Sequence, residues 1–178
     1  MRILAVDTST LAGGVALMES GRVLCDLRVE VPASHAPRLL TLIHQALHLT
    51  SVPLNSIDLF AASQGPGSFT GLRIGIATLM GLGHALQRDV VGIDSLEALA
   101  MKAWSAPFQV GALLDARKGE VFGALFRTTV SGPRRVTPNL VMSPEAFCAK
   151  ITEPTLLLGT GVEVYRGVWD RHLGNLAI

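Results

Sequence analysis

A short polar segment follows the first apolar run of the chain and carries groups that could hold a phosphate. Asp7, Thr8 and Ser9 come directly after Ile3–Val6. A carboxylate at a strand end can hold a hydrated magnesium ion, and hydroxyls and backbone N–H groups of the following turn can receive phosphate oxygens. The same residues also suit a turn in which Asp and Thr bind only neighbouring backbone amides. The local pattern leaves both interpretations open.

A second candidate is a glycine-rich segment, Gly65-Pro66-Gly67-Ser68-Phe69-Thr70-Gly71. Glycine lets the backbone approach a ligand closely, and a helix that begins here would attract anions to its N-terminus, with Ser68 or Thr70 as the N-cap. No Gly-Lys-Ser/Thr follows, so the segment is not a P-loop, and a ligand-free turn fits the pattern equally well. The candidate nucleotide-binding residues are therefore Asp7, Thr8, Ser9, Gly65, Gly67 and Ser68.

Two apolar segments with helical spacing must pack beside these turns. Pro37–Thr50 has a single apolar face, whereas Thr70–Leu86 is apolar all round and contains Gly71, Gly75, Gly81 and Gly83. A glycine inside a helix costs about 1 kcal/mol relative to alanine, so close approach of a neighbour is expected. We predict that Thr70–Leu86 packs on its own sheet with one face and on a partner helix with the other. Complete burial against its own sheet is the alternative.

The sequence predicts neither a metal site nor a nucleophile. His44 and His48 have the i, i+4 spacing of two metal ligands, but no third ligand is evident, and a solvated helix is the favoured interpretation. No Ser/His/Asp or Cys/His set is found. Cys25 and Cys148 lack the CxxC spacing and are expected to be buried thiols.

Composition limits the partners and the location. Fifteen Lys and Arg residues balance 14 Asp and Glu residues, so direct binding of a polyanion such as tRNA is not expected. Hydrophobic residues make up 49% of the chain and the mean hydropathy is +0.43, which indicates a buried parallel sheet or a surface that a partner covers. No apolar run was found that reaches the roughly 18 residues of a membrane span, and no signal peptide is evident. A cytoplasmic location is expected.

The order of predicted elements repeats once along the chain. Ile3–Asp7 followed by Gly14–Met18 resembles Val110–Asp115 followed by Gly119–Phe126. Each pair leads through a third strand, Arg22–Glu30 or Arg135–Met142, and a helix to another strand and a glycine loop, which is typical of an internal duplication. We therefore predict lobes at residues 1–105 and 106–178, with the second lobe incomplete because few residues follow Tyr165.

Four segments together resemble the TsaB (YeaZ) family, whose members are partner subunits of TsaD in threonylcarbamoyladenosine synthesis on tRNA. They are residues 3–10, 65–75, 94–99 and 115–122, in the order and spacing of the family. Residues 34–40 are a looser match, with Ala36 in place of a serine, and the resemblance covers roughly residues 1–165. It implies an α/β fold of the duplicated actin-like, sugar-kinase-like (ribonuclease H-like) type.

The resemblance also implies a role. TsaD binds its metal through a His-x-x-x-His pair, and Ser95 and Leu99 stand at those positions here. A hydroxyl and an isobutyl group cannot replace two imidazoles as ligands. We therefore expect a non-catalytic scaffolding subunit that binds and activates TsaD. A small phosphotransferase or an M22-type peptidase of the same superfamily is the alternative.

The resemblance further implies the partners and their surface. TsaD would bind through the first two helices, a homodimer would form through the same surface in its absence, TsaE would be a third partner, and tRNA would be contacted only indirectly. No tightly bound cofactor is expected, although ATP or ADP with magnesium could sit at the junction of the complex. The expected interface residues are His35, Arg38, Leu39, Leu42, Ile43, Ala46, Leu72, Gly75, Ile76, Leu79 and Gly83.

Overall fold

The computed structural model of the chain describes residues 1–30 and 36–178. These residues form two compact units, Met1–Ile93 and Asp94–Ile178. The sequence predicts a boundary at 105/106, whereas the structure groups the helix at Ser95–Ala100 with the second unit. The reason is packing, because Leu96 of this helix shares a buried core with strands of the second unit.

The first unit is a five-stranded sheet with two helices. Its strands are β1 (Arg2–Asp7), β2 (Ala12–Glu19), β3 (Arg22–Glu30), β4 (Leu59–Gly65) and β5 (Asp89–Asp94), and their order in the sheet is β3, β2, β1, β4, β5. β1 pairs antiparallel with β2 and parallel with β4. The parallel pairing brings the C-terminal ends of β1 and β4 to the same edge of the sheet. The two candidate turns follow these ends.

Two helices cover this sheet and close its core. α1 spans Ala36–Thr50 and α2 spans Phe69–Leu86. Apolar side chains of α1, α2 and the strands form one buried cluster, which includes Leu4, Val6, Leu17, Leu39, Ile43, Phe60 and Leu79. Ser68 caps α2 as predicted, because its Oγ accepts a hydrogen bond from the Gly71 amide at 3.3 Å.

The second unit repeats this plan with shorter helices. Its strands are β6 (Gln109–Arg117), β7 (Glu120–Thr129), β8 (Gly132–Arg135), β9 (Leu140–Met142) and β10 (Thr155–Leu158), and its helices are α3 (Ser95–Ala100), α4 (Pro144–Cys148), α5 (Thr160–Val164) and α6 (Arg166–Leu173). β6 pairs antiparallel with β7 and parallel with β10, as β1 pairs with β2 and β4. The pairing therefore confirms the duplication read from the sequence.

Side chains alternate across β6, so that the second unit has a core on each face of its sheet. Val110, Ala112 and Leu114 pack with α3, whereas Leu113 packs with Phe147 and Trp169. Such two-sided burial accounts for the unbroken apolar run of β6.

The structure corrects one predicted strand. A single strand was expected over Arg135–Met142, but β8 and β9 pair with different parts of β7. Between them, the Thr137 Oγ1 accepts a hydrogen bond from the Leu125 amide at 2.9 Å, and Pro138 has no N–H with which to continue the ladder. The third strand of the repeat is therefore interrupted.

The structure also corrects the expectation that no apolar segment is long enough to cross a membrane. α2 is 18 residues long with a mean hydropathy of 1.2, which meets the length and composition of a membrane-crossing helix. This is weak evidence, because a helix that packs on a sheet meets the same criteria, and the buried stripe of α2 does pack on β4 and β1.

Candidate functional site

The first candidate turn is tied to its own backbone. The Asp7 Oδ1 accepts a hydrogen bond from the Ser9 amide at 2.9 Å, and the Thr8 amide donates to the Ser63 Oγ at 3.3 Å. Thr8 is only 1% exposed and Ser9 only 4%, and the Thr8 Oγ1 has no hydrogen-bond partner among the described residues. Both hydroxyl-bearing side chains therefore face protein, and Asp7 alone of the three is exposed.

The glycine-rich segment closes over this turn, as their shared sheet edge predicts. The Ser68 amide donates to the Ser9 carbonyl oxygen at 2.7 Å. A Cβ at Gly67 would overlap that same carbonyl, and a Cβ at Gly75 would overlap the Thr8 Oγ1, so both positions require glycine. The structure thus removes Thr8 and Ser9 from the residues that could present hydroxyls to a nucleotide, because the start of α2 covers them. Asp7 and Ser68 stay exposed, and Gly65 lies buried at a φ of +111°.

The second turn of the duplication is held differently. The Asp115 Oδ1 accepts hydrogen bonds from the Arg117 amide at 2.9 Å and from the Tyr165 hydroxyl at 3.1 Å. Burial, followed by the hydrogen bond to Asp115, raises the pKa of Tyr165 above its ordinary value. Arg117 and Lys118 have positive φ angles and are exposed. This turn therefore carries basic residues where the first carries hydroxyls.

Ser95 and Leu99, which the resemblance to the family aligns with the metal ligands of TsaD, lie in a packed segment. Ser95 is 6% exposed, its hydroxyl has no hydrogen-bond partner among the described residues, and Leu99 packs against the α3 core. Across residues 1–30 and 36–178, no group of three or more His, Cys, Asp or Glu side chains is arranged to hold a metal.

Asp94 fixes the start of this segment. Its Oδ1 accepts hydrogen bonds from the amides of Leu96 and Glu97 at 2.9 Å each, and Arg135 pairs with it at 3.0 Å. Partial burial opposes its ionisation, but hydrogen bonds from Asn139 and the Glu97 amide, with the charge of Arg135, outweigh burial and lower its pKa. The network caps α3 and ties it to β8, which is a structural role.

The inward face of α2 is a stripe of small residues packed on its own sheet. Gly71, Gly75, Leu79 and Gly83 recur every four residues and are all buried. A Cβ at Gly83 would lie 2.6 Å from the Val90 Cγ2 and 2.8 Å from the Arg88 carbonyl oxygen. These four residues pack against the sheet of their own unit. Gly75, Leu79 and Gly83 are therefore covered and cannot contact a partner as the sequence suggested.

The outward face of α2 carries a second stripe at the same spacing. Ala77, Gly81 and Ala85 are exposed, and nothing lies within 4 Å of a Cβ built on Gly81. Met80 beside them is 58% exposed. This stripe is the part of α2 that is free to meet another helix.

α1 likewise has one buried face and one exposed face. Leu39, Ile43 and Ala46 are at most 4% exposed, whereas the adjacent Leu40 is 57% exposed. An open groove of about 780 Å³ runs beside α1. It is lined by residues of α1, of the segment that follows it and by one residue of α2: Leu40, Ile43, His44, Leu47, His48, Ser51, Val52, Pro53, Leu54 and Leu82.

The burial pattern changes which of the predicted interface residues can serve. Leu39, Ile43 and Ala46 join Gly75, Leu79 and Gly83 in the interior, because the sheet occupies the most apolar face of each helix. Arg38 is exposed, and Leu42, Leu72 and Ile76 are half-buried, so these four could still contribute. His35 lies outside the described residues. Leu40, Ala77 and Met80 are absent from the expected interface residues but are exposed on the outward faces of α1 and α2, and the spacing of 77, 81 and 85 is visible in the sequence.

Comparison with known proteins places the chain in a family. Residues 30–152 match the family model described as TsaD, tRNA N6-adenosine threonylcarbamoyltransferase. The chain is 31% identical over 184 residues to the tRNA threonylcarbamoyladenosine biosynthesis protein TsaB of Haemophilus influenzae, with 97% of this chain and 78% of that protein covered. The chain belongs to the TsaB (YeaZ) family.

Other TsaB proteins and solved structures agree. The Escherichia coli TsaB is 37% identical over 74% of this chain, a match that spans 58% of the E. coli protein. The solved structure of YeaZ from Pseudomonas aeruginosa superposes with a TM-score of 0.82 at 34% identity, covering 94% of this chain and 79% of that one. A structure described as similar to the peptidase YeaZ gives 0.84 at 32% identity, covering 99% and 82%. The predicted duplicated, actin-like α/β fold is thereby confirmed.

Proposed function

We propose that this chain takes part in tRNA threonylcarbamoyladenosine biosynthesis as a non-catalytic subunit that binds and activates TsaD. The observation that carries the proposal is the outward face of α1 and α2. There Leu40 and Met80 are more than half exposed and Gly81 has nothing above it. Large apolar side chains exposed on two neighbouring helices favour a surface that another protein covers.

Small residues make this face suitable for a helical partner. Ala77, Gly81 and Ala85 lie one turn apart, so a helix could approach at the short end of the usual interaxial range of about 8–10 Å. The TsaD family model spans residues 30–152, a range that includes both α1 and α2. Two related chains that share a helix pair can associate face to face through equivalent surfaces, and the same geometry lets one chain pair with a copy of itself.

The decisive experiment measures binding to TsaD. Gly81→Leu places a large side chain on the outward stripe, and we expect a loss of affinity of about 5- to 150-fold by isothermal titration calorimetry, because overpacking a close contact costs about 1–3 kcal/mol. Gly167→Leu is the matched control, because Gly167 is also a helical glycine with nothing within 4 Å of its Cβ. Normal binding by Gly81→Leu, or equal loss in both variants, would refute this interface.

A second assay tests the lack of catalysis. The isolated chain should transfer no threonylcarbamoyl group to tRNA, while addition of the chain to TsaD should raise the rate of transfer. Turnover by the chain alone would overturn the proposal. If the Gly81→Leu variant still stimulates TsaD, activation does not depend on this surface.

The remaining partners follow from the same role. We propose that TsaE joins the assembled complex, that tRNA is held mainly by other subunits, and that the chain works in the cytoplasm. The near balance of 15 basic and 14 acidic residues supports indirect contact with tRNA. Pull-down of TsaE should therefore require TsaD, and the chain alone should not shift tRNA in a gel.

Nucleotide binding separates this proposal from a phosphotransferase. Thr8 and Ser9 are buried beneath the start of α2, so we propose that ATP or ADP with magnesium is held, if anywhere, at the junction of the complex rather than by the lone chain. A phosphotransferase should bind Mg-ATP by itself and lose it in Asp7→Ala. We expect no measurable binding by the wild-type chain in equilibrium dialysis.

A further inference from the structure

Two histidines lie one above the other on the exposed side of α1. His44 and His48 are separated by one helical turn and both are exposed. Their ring centroids are 6.3 Å apart, and their planes differ by 24°. Spacing of i, i+4 thus brings two imidazoles onto one face of the helix, which is the arrangement of the paired ligands in helical zinc sites.

Nothing in the described part of the chain competes for these imidazoles. Apart from the contact of the two rings with each other, neither ring has a hydrogen bond or an ion pair with another described residue. Among described residues, those that line the groove beside the two rings include no acidic or basic side chain other than the histidines themselves. In the single chain the ring nitrogens are therefore open to solvent and to an ion.

The ligand chemistry selects the class of ion. Neutral imidazole binds zinc, nickel and copper at about 2.0–2.1 Å, whereas magnesium and calcium require oxygen ligands. We propose that His44 and His48 form a two-histidine chelate for a divalent transition metal, with zinc as the ion of choice. Water completes its coordination, because no third protein ligand is grouped with them among the described residues.

Such a site would be exchangeable rather than structural. Two ligands leave half of a tetrahedral shell to water, unlike the four protein ligands of a structural zinc. Two imidazoles on one helix nevertheless bind an ion with higher affinity than a single imidazole does, because the second ligand is already held at high effective concentration. A bound ion would also pin one turn of α1, from His44 to His48, at the edge of the groove.

Zinc titration of the full chain tests the proposal. Isothermal titration with zinc chloride at mildly alkaline pH, where imidazole is neutral, should show one ion per chain. His44→Gln and His48→Gln should each weaken binding by about tenfold or more, since each destroys the chelate. His84→Gln, which removes a lone exposed histidine from α2, is the matched control and should bind as the wild type does.

Folding and site identity are checked by independent readouts. All three histidines are exposed, so circular dichroism should give the same helix content and melting temperature for each variant without metal. Zinc should slow amide exchange in the C-terminal half of α1 in the wild type and in His84→Gln only. Equal zinc affinity in wild type and His44→Gln, or protection elsewhere in the chain, would show adventitious binding and overturn the proposal.

Discussion

The two faces of α2 have similar residues and opposite surroundings. Gly71, Gly75 and Gly83 face the sheet, where an added Cβ at Gly75 or Gly83 meets Thr8 or Val90. Gly81, two positions from Gly83, faces open space. Gly83 therefore accounts for a close contact within the unit, whereas Gly81 has no neighbour in the unit that requires a glycine.

The same division separates neighbouring leucines of α1. Leu39 is 2% exposed and belongs to the core cluster, whereas Leu40 is 57% exposed on the groove. Apolar character alone does not distinguish these two residues. Their substitution should therefore separate residues that stabilise the fold from residues that serve binding.

The largest contrast is expected between Leu39→Ala and Leu40→Ala. Leu39→Ala leaves a cavity in the core and should lower the free energy of unfolding by about 2–5 kcal/mol. Leu40→Ala removes an exposed side chain and should change it by no more than about 0.5 kcal/mol. Urea denaturation measures both values, and similar losses in the two variants would erase the distinction between the faces of α1.

Gly83→Ala tests the inward stripe of α2. The new methyl group would meet the Val90 Cγ2 at 2.6 Å and the Arg88 carbonyl at 2.8 Å, and a backbone atom cannot rotate away. Overpacking costs about 1–3 kcal/mol, whereas better helix propensity returns about 1 kcal/mol, so the net effect should be destabilising. A raised melting temperature would mean that α2 does not lie this close to the sheet.

Gly81→Ala should have the opposite sign. No atom lies within 4 Å of the added methyl group, so the gain in helix propensity is not opposed. We expect the isolated chain to become more stable by up to about 1 kcal/mol. Thermal melts of Gly81→Ala and Gly83→Ala side by side give the comparison, and a shift in the same direction for both would contradict it.

Met80→Ser should give the smallest change in stability. Met80 is 58% exposed, so the free energy of unfolding should change by no more than about 0.5 kcal/mol. Binding to TsaD should nevertheless weaken if this face is the interface. A destabilisation of several kcal/mol would instead show that Met80 is packed within the unit.

Much of the fold could be predicted from local signals. The β1 turn, the Ser68 cap and the repeated strand order depend on contacts between residues close in sequence or on a pattern that recurs. The predicted strand over Arg135–Met142 failed because the interruption at Thr137 and Pro138 depends on a hydrogen bond to Leu125 in another strand.

The candidate sites could be predicted only in part. The sequence identified both candidate turns, whereas their contact depends on the parallel pairing of β1 and β4 in the structure. The burial of Thr8 and Ser9 could not be predicted either, because it depends on how closely α2 approaches the turn. The expected interface residues were likewise chosen mainly from the most apolar positions of each helix, and those side chains pack against the sheet.

By itself the sequence determined most of the elements, their duplication, the glycine-dependent start of α2 and the family. Each of these rests on backbone propensity, capping or a repeated pattern, which are properties of short stretches of chain. Only the tertiary structure decided which face of α1 and α2 is buried. That choice depends on the rotation of each helix against the sheet, and when both faces of a helix are apolar, only the packing of distant side chains fixes its rotation.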